Sequence, residues 1–179
     1  MIEVRRAQPV DAASIGAVHV SAWRSAYAGI LPNDYLSRLS MPRQAAQYDM
    51  TIRMGGGVYV AIAPRPGLAP GVVGFITVGR PRTPGLAQGE IETLYVLDDW
   101  RDRGVGRQLL AAGARHLEAA GCGSAFLWVL RDNPSRWFYE HLGGRKAAHS
   151  NTSVAGVPIP QVAFVWDPID QLWAGAPNA

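Results

Sequence analysis

The chain has 179 residues, of which 48% are hydrophobic and 17% are charged, a balance typical of one globular domain and not of a disordered chain. No apolar run approaches the length of a membrane span, and the N-terminus lacks the apolar core of a signal peptide, so we expect a cytoplasmic protein with no membrane partner. The single cysteine, Cys122, excludes an internal disulfide and fits a reducing compartment.

The positive charge of the chain is carried almost wholly by arginine. The formal net charge is +3, and Lys146 is the only lysine. The arginines are dispersed along the chain, with one local concentration at Arg101, Arg103 and Arg107. A small anionic ligand explains this pattern better than a polynucleotide does, so we expect no nucleic-acid partner.

Hydrophobic periodicity predicts the secondary structure in chain order, with Gly and Pro marking the breaks. We predict a strand over 2–7, a helix from Val10, a second helix from Asn33, a third over 43–54, strands over 58–63, 72–78 and 91–97, a helix from Val105, a strand over 124–130, a helix over 136–142, and strands over 145–150 and 161–166. Residues 154–160 are predicted to form a turn, and the segment after Pro168 a loosely held end. This order predicts one α/β domain, with a mixed, mostly antiparallel central sheet flanked by helices.

A basic turn with two glycines joins the strand over 91–97 to the helix that follows it. Residues 101–107 have the sequence Arg-Asp-Arg-Gly-Val-Gly-Arg. At a helix start the free N–H groups and the helix dipole favour an anion, and glycine lets the anion approach the backbone. The turn lacks the third glycine of a dinucleotide-binding fingerprint, and no Gly-Lys-Ser/Thr follows as in a P-loop. The sequence therefore predicts an anion site of another kind.

A second motif follows the next strand: Asn133 precedes a short helix that contains Tyr139 and ends at Leu142 and Gly143. Together with Arg101-x-x-Gly104-x-Gly106, which matches the pyrophosphate-binding motif Gln/Arg-x-x-Gly-x-Gly/Ala, it resembles the GCN5-related N-acetyltransferases (the GNAT family). The resemblance covers about residues 2–167. It implies a single-domain GNAT-like fold over residues 1–168, followed by a C-terminal tail over 169–179.

The resemblance to the GNAT family implies acetyl-CoA as the cosubstrate, and no metal. The N–H groups at the start of the helix would cradle the pyrophosphate, and the arginines would add charge-assisted hydrogen bonds. The strand before the turn would pair its backbone with the pantetheine amides. On this basis the expected cofactor-binding residues are Leu94, Tyr95, Val96, Arg101, Arg103, Gly104, Val105, Gly106, Arg107, Asn133 and Tyr139.

The implied reaction is direct attack of a primary amine on the thioester in a ternary complex. Tyr139 stands at the position of the family's acid and would donate to the leaving sulfur. Glu90 and Glu92 are the candidate bases, acting directly or through a water. They share a face if their strand is regular, whereas a bulge would change that alternation. Some relatives carry an acidic residue in the strand before Asn133, where this chain has Arg131 instead.

The acceptor site is expected among the first helices, where Trp23 and Tyr27 lie four residues apart and share a helix face. They would wall the pocket, or else belong to the core, and nearby His19 is expected to be structural. The acceptor, a small molecule or a peptide amine, has no diagnostic signature. A non-catalytic acyl-CoA-binding or sensing module is the alternative function, another acyl group stays open, and a homodimer could form through the strand around 162–166.

Overall fold

The computed structural model describes residues 1–174, which form one seven-stranded sheet in the order β1-β2-β3-β4-β5-β7-β6. The strands are β1 Glu3–Arg6, β2 Gly57–Arg65, β3 Leu68–Gly79, β4 Gly89–Val96, β5 Ala125–Leu130, β6 Arg145–Val154 and β7 Val157–Trp166. The helices are α1 Ala12–Ala26, α2 Asn33–Ser37, α3 Met41–Arg53, α4 Val105–Ala119 and α5 Arg136–His141. Short 3-10 turns cover Pro9–Asp11, Asp98–Trp100 and Ile169–Leu172.

Helices cover both faces of the sheet. On one face, α4 buries Leu109 and Leu110 against Ile76, Phe164 and other apolar residues of the strands. On the other face, Ile15 and Val18 of α1 belong to a second cluster with Tyr48 of α3 and with Val60 and Phe75 of the sheet. Apolar positions recur at helical spacing in α1 and α4, so each helix buries one face. The strand β3 is buried on both faces, because successive side chains point to opposite sides and Phe75 packs with α1 while Ile76 packs with α4. The mixed, mostly antiparallel α/β fold predicted from the sequence is confirmed.

The two central strands, β4 and β5, form the one parallel pair among the described residues. Their register contains only Gly89 opposite Ala125 and Glu90 opposite Phe126. Beyond these pairs β4 continues to Val96 and β5 to Leu130 without further pairing between them. The sheet therefore splits at its centre, and this split creates the space for the functional site.

Three expectations from the sequence are corrected near the C-terminus. The strand around 162–166 is not an edge, because β7 pairs with β5 on one side and with β6 on the other, which makes β6 the edge strand at this end of the sheet. The turn predicted over 154–160 is shorter, since Pro158 and Pro160 lie inside β7, where β6 is its only strand neighbour and a missing N–H is tolerated.

The end predicted to be loosely held after Pro168 is instead packed for as far as the chain is described. Ile169 and Leu172 are each 2% exposed and belong to the core cluster next to α4. Burial of apolar side chains stabilises this turn against the domain. The rest of the predicted tail, residues 175–179, lies outside the described residues.

Candidate active site

A cleft of about 400 Å³ opens where β4 and β5 diverge. Residues 91–96 of β4 line one side, and residues 127–129 of β5 line the other. The turn before α4 and the entrance to α5 contribute further walls, as do Ala22 and Ala26 of α1 and Tyr27, the residue directly after α1. Since α1 and α4 pack on opposite faces of the sheet, the split connects a site on one face with a site on the other.

The basic turn before α4 is shaped for an anion. Gly104 has φ +77° and stands directly before the first residue of α4, and Asp102 also has a positive φ of 57°. A left-handed backbone favours glycine, so Gly104 meets a conformational need of this turn. The N–H groups of the first helical turn have no partner within the helix and lie beside the cleft wall formed by Val105, Gly106 and Arg107. This cradle fits the pyrophosphate implied by the motif.

The arginines of the turn differ in position. Arg101 and Arg107 line the cleft, and Arg101 forms an ion pair with Asp98 at 2.9 Å. Arg103 does not line the cleft, and its guanidinium lies over the ring of Trp100, 5.1 Å from the centroid. Arg101 and Arg107 are therefore better placed than Arg103 to contact an anion in the cleft.

The second glycine of the motif allows a close approach of two helices. A Cβ added to Gly106 would lie 3.3 Å from Cζ of Phe138 at the start of α5. A side chain at this position would press against the α5 entrance, where Phe138 and Tyr139 both line the cleft. Gly106 therefore keeps α4 close to α5 and leaves its own backbone accessible.

The pantetheine strand predicted from the sequence lies along the open side of β4. Leu94, Tyr95 and Val96 pair with β3 on one side and line the cleft on the other, because β5 has already diverged. Backbone groups on an unpaired strand edge can accept an extended ligand as if it were another strand. The split in the sheet is the feature that exposes them.

Asn133 lines the cleft and also holds the entrance to α5. Its side chain is buried, at 7% exposure, and its Oδ1 accepts a hydrogen bond of 2.9 Å from the backbone N–H of Ser135. Such a local turn is a common way for Asn to precede a helix. Asn133 therefore fixes the wall that carries Tyr139, in addition to facing the predicted pantetheine site.

Tyr139 is a buried tyrosine at the cleft wall. It is 7% exposed and packs against Phe164 and Trp166, with ring centroids 6.0 and 6.2 Å away. Burial raises the pKa of Tyr139 above its ordinary value, and the nearby Tyr27 adds to the rise. The hydroxyl therefore keeps its proton at neutral pH and is available as a donor inside the cleft.

Glu90 and Glu92 occupy different environments. Glu90 is 1% exposed in the closed part of the sheet, does not line the cleft, and forms an ion pair with Arg82 at 2.6 Å. Glu92 lines the cleft and lies at a register shift in β4, between Ile91 opposite Val78 and Thr93 opposite Thr77. This register shift is a β-bulge, so Glu90 and Glu92 do not follow the simple alternation of side chains in a regular strand. The geometry favours Glu92 over Glu90 as the carboxylate that meets a ligand.

Trp23 of α1 and Tyr27, directly after α1, have different places relative to the cleft. Tyr27 lines the cleft and is 7% exposed, and burial raises its pKa. Trp23 does not line the cleft. Its ring packs against His19 at 5.2 Å, Tyr27 at 4.9 Å and Tyr95 at 6.3 Å. Trp23 therefore supports the tyrosines that face the site.

His19 has the structural environment expected from its sequence position. Its Nδ1 lies 2.7 Å from the hydroxyl of Tyr48, and the side chain is 8% exposed. Burial lowers the pKa of His19 to about 4. The imidazole is therefore neutral at pH 7 and forms part of the packing behind the cleft.

Sequence analysis missed three aromatic residues of the cleft wall: Trp100, Trp128 and Phe138. Trp128 stands in an apolar strand and gives no signal other than that of a core residue. Trp100 offers a weak signal, because it is an aromatic residue between Asp99 and Arg101 in an otherwise polar turn. Phe138 adjoins Tyr139, and only the three-dimensional contact with the Gly106 region shows its place.

The comparison with family models matches residues 23–143 to the acetyltransferase (GNAT) family. The chain belongs to the GNAT family. It is 34% identical over 173 residues to an uncharacterized N-acetyltransferase of Bacillus subtilis (strain 168), a match that covers 96% of each chain. Membership makes this GNAT enzyme an acetyl-CoA-dependent N-acetyltransferase, which confirms the family, the activity and the cosubstrate predicted from the motifs.

Solved structures show the same fold. The ribosomal-protein-alanine N-acetyltransferase from Brucella melitensis is 20% identical, with a TM-score of 0.68 and coverage of 92% of this chain and 99% of that one. The PaiA N-acetyltransferase from Thermoplasma acidophilum, solved in complex with coenzyme A, is 18% identical, with a TM-score of 0.64 and coverage of 90% and 98%.

The described residues of the GNAT enzyme contain neither a metal-binding cluster nor a membrane-spanning helix. Within residues 1–174, no group of three or more His, Cys, Asp or Glu side chains is arranged to hold a metal ion. In the same part of the chain, no helix combines the length and apolar character needed to cross a bilayer.

Proposed function

We propose that this enzyme transfers the acetyl group of acetyl-CoA to a primary amine by direct attack in a ternary complex, with Glu92 as the base and Tyr139 as the proton donor. The observation that carries the proposal is the split between β4 and β5. Glu92 and Tyr139 both line the cleft in this split, and so does the anion-binding turn before α4.

Glu92 is proposed as the base because it is the carboxylate of β4 that faces the cleft. An amine reaches the site mostly as an ammonium ion and must lose a proton before it can attack. The Glu92 carboxylate would take that proton, directly or through one water. Glu90 is unsuited to this role, because both of its oxygens accept hydrogen bonds from Arg82.

Tyr139 is proposed to donate its proton to the sulfur as the carbon–sulfur bond breaks. The raised pKa of Tyr139 keeps the hydroxyl protonated until that moment. The same burial makes it a weak acid, so donation depends on close contact with the developing thiolate. The amine proton and the sulfur proton are thus handled by groups on two different walls of the cleft.

The cosubstrate is proposed to bind along the residues that face the cleft. Val105, Gly106 and Arg107 would hold the pyrophosphate with their N–H groups, and Arg101 would add a charged contact. Leu94, Tyr95 and Val96 would pair with the pantetheine arm, and Asn133 would face it. Arg103 stacks on Trp100 outside the cleft, so it would favour binding of the anionic cosubstrate by its positive charge and not by direct contact.

The charge of the cleft favours an acceptor with a single ammonium group. Within the described residues, the only cleft-lining carboxylates are Glu92 and Asp102, and Asp102 belongs to the basic turn. Polycationic acceptors are expected to need several carboxylates to offset their charge. Tyr27 and Tyr95 line the same cleft as Glu92, and an aromatic wall suits a cation attached to an apolar group.

Isothermal titration with acetyl-CoA, followed by thiol release with an amine panel, tests the proposal. The panel contains propylamine, phenethylamine, an alanine-initiated peptide, spermidine and an aminoglycoside. We expect Glu92→Gln to lower kcat by about 100-fold, with Glu90→Gln as the matched control near wild-type rate. Failure to bind acetyl-CoA at high micromolar concentration would sink the proposal. Binding without thiol release from any amine would favour the acyl-CoA-binding module instead.

A further inference from the structure

Glu92 is the unpaired residue of a β-bulge in the middle of the cleft wall. Its neighbours Ile91 and Thr93 pair with consecutive residues of β3, Val78 and Thr77, so Glu92 has no partner of its own. A bulge redirects side chains locally. Here Glu92 and Thr93 both reach the same hydroxyl, since Thr77 Oγ1 lies 3.4 Å from Glu92 Oε2 and 2.8 Å from Thr93 Oγ1.

The direction of these hydrogen bonds follows from counting protons. An ionised carboxylate only accepts, so the Thr77 hydroxyl donates its one proton to Glu92. Thr93 must then donate its own proton to the Thr77 oxygen. Thr77 is 4% exposed, so water does not readily replace either partner. One oxygen of Glu92 therefore lies within reach of a buried hydroxyl on β3 that can donate to it.

The other oxygen of Glu92 lies over a residue without a side chain. A Cβ added to Gly79 would be 3.1 Å from Glu92 Oε1, which is closer than a carbon and a carboxylate oxygen comfortably approach. Gly79 pairs with Glu90 in the regular part of β3. Its lack of a side chain thus provides the space that the Glu92 carboxylate occupies.

The residues behind Thr93 are packed and buried. The hydroxyl of Tyr48 meets Nδ1 of His19 at 2.7 Å, and both side chains are 8% exposed. Tyr48 packs edge-on against Phe75, with ring centroids 5.0 Å apart, in the same cluster as α1 and the sheet. The Tyr48 side chain is also in contact with that of Thr93, so this packing leaves the Thr77–Thr93 pair little freedom to move away from Glu92.

We propose that Thr77 and Gly79 form a seat on β3 that positions the Glu92 carboxylate for proton abstraction. Thr77 fixes one oxygen by donating to it, and Gly79 leaves room for the other. Neither residue is assigned to the reaction itself, so both are positioning residues. The inference rests on the proposed function, in which Glu92 is the base.

Replacement of the Thr77 hydroxyl tests the seat. Thr77→Val keeps the shape of the side chain and suits a β-strand, but it removes the donor to Glu92. With acetyl-CoA and propylamine we expect kcat to fall by about tenfold through loss of positioning. The KM for acetyl-CoA should stay within about twofold, because Thr77 does not line the cleft. Thr77→Ser restores the hydroxyl and should recover kcat to within about threefold of wild type.

A second variant tests the other half of the seat. Gly79→Ala places a methyl group against Glu92 Oε1 and should also lower kcat by about tenfold. Thr51→Val is the matched control, since Thr51 bonds to the backbone oxygen of Gln47 in α3 and should leave kcat unchanged. Unchanged kcat in both seat variants, with Glu92→Gln inactive, would overturn the seat and leave the proposed function intact.

Crystal structures provide a measurement that needs no turnover. In the wild type the Glu92 carboxylate should occupy one conformer beside Thr77, and in Thr77→Val it should occupy several or turn away. A single unchanged conformer in Thr77→Val contradicts the inference whatever the rates are. If the wild type turns over no amine at all, the proposed function fails, and the conformer comparison alone then decides whether the seat exists.

Discussion

Arg82 encloses the carboxylate of Glu90 from two directions. Its guanidinium donates to Glu90 Oε1 at 3.0 and 2.6 Å, and its backbone N–H donates to Oε2 at 2.6 Å. Glu90 is 1% exposed, whereas the Arg82 side chain is 65% exposed. A buried carboxylate needs such partners to offset the loss of water. Glu90 therefore closes the loop before β4 onto the sheet.

We predict that Glu90→Gln lowers stability without lowering the rate. The amide would turn an NH₂ group toward one of the Arg82 donors and leave a hydrogen bond unmade. The expected cost is about 1–3 kcal/mol in the free energy of unfolding, measured by urea titration. Glu92→Gln is the control and should change stability by less than about 1 kcal/mol. A stable but inactive Glu90→Gln enzyme would contradict this division of roles.

Arg101 and Arg103 of the basic turn should contribute differently to cosubstrate binding. Arg101 lines the cleft and Arg103 stacks on Trp100 outside it. We expect Arg101→Ala to weaken acetyl-CoA binding by about tenfold, because a charge-assisted contact to a phosphate is lost. Arg103→Ala should weaken it by less than about threefold.

Isothermal titration at two salt concentrations measures the Arg101 effect and its origin. The difference between wild type and Arg101→Ala should shrink at high salt, since ions screen partly exposed charges. A larger loss in Arg103→Ala than in Arg101→Ala would mean that the turn rearranges when the cosubstrate binds.

Sequence periodicity was enough to predict the fold because most of the sheet and helices have local signals. Residues 72–78 and the helix from Val105 are examples, since the strand is an almost wholly apolar run and the helix buries one apolar face. Prolines misled the prediction at Pro158 and Pro160. Whether a proline fits a strand depends on which side has a neighbour, and that is a property of the assembled sheet.

The site was less predictable than the fold, because several of its features depend on contacts that exist only in the assembled sheet. Arg101, Gly104 and Gly106 form a local motif, so their turn could be found from the sequence alone. The difference between Glu90 and Glu92 depends on the pairing of β4 with β3 and on the loop that carries Arg82. Neither the strand pairing nor the position of this loop can be read from the residues next to Glu90 and Glu92 in the sequence. Trp23 and Tyr27 likewise share a helix face, and only the packing of α1 on the sheet separates them.

Tyr139→Phe should lower kcat and leave cosubstrate affinity unchanged. Removal of the hydroxyl deletes the donor to the leaving sulfur, and we expect a loss of about 10- to 100-fold in kcat. Because burial raises the pKa of Tyr139, the hydroxyl keeps its proton in mildly alkaline solution, so its titration should not reduce kcat below about pH 10.

Steady-state kinetics from pH 6 to 10 check both statements on Tyr139. Tyr59→Phe is the control, because Tyr59 contacts His116 away from the cleft and should behave as wild type. Turnover by Tyr139→Phe at the wild-type rate would remove the donor role. Loss of acetyl-CoA binding in that variant would show that the hydroxyl serves the cosubstrate instead.

His19 makes the stability of the fold depend on pH. Burial lowers the pKa of His19 from 6.5 to about 4, so between these values the unfolded chain binds a proton that the folded chain does not. The stabilising contribution of the neutral imidazole is therefore present above about pH 6.5 and is lost as the pH falls toward 4. At about 1.4 kcal/mol per pKa unit, the loss is on the order of 3 kcal/mol.

Urea titrations at pH 7 and pH 4.5 should show a smaller decrease in the free energy of unfolding for His19→Gln than for wild type. Carboxylates such as Asp11 contribute equally to both, so the difference isolates His19, and His149→Gln, at an exposed position, should follow the wild type. Parallel decreases in wild type and His19→Gln would mean that the buried imidazole gains its proton without unfolding the surrounding cluster.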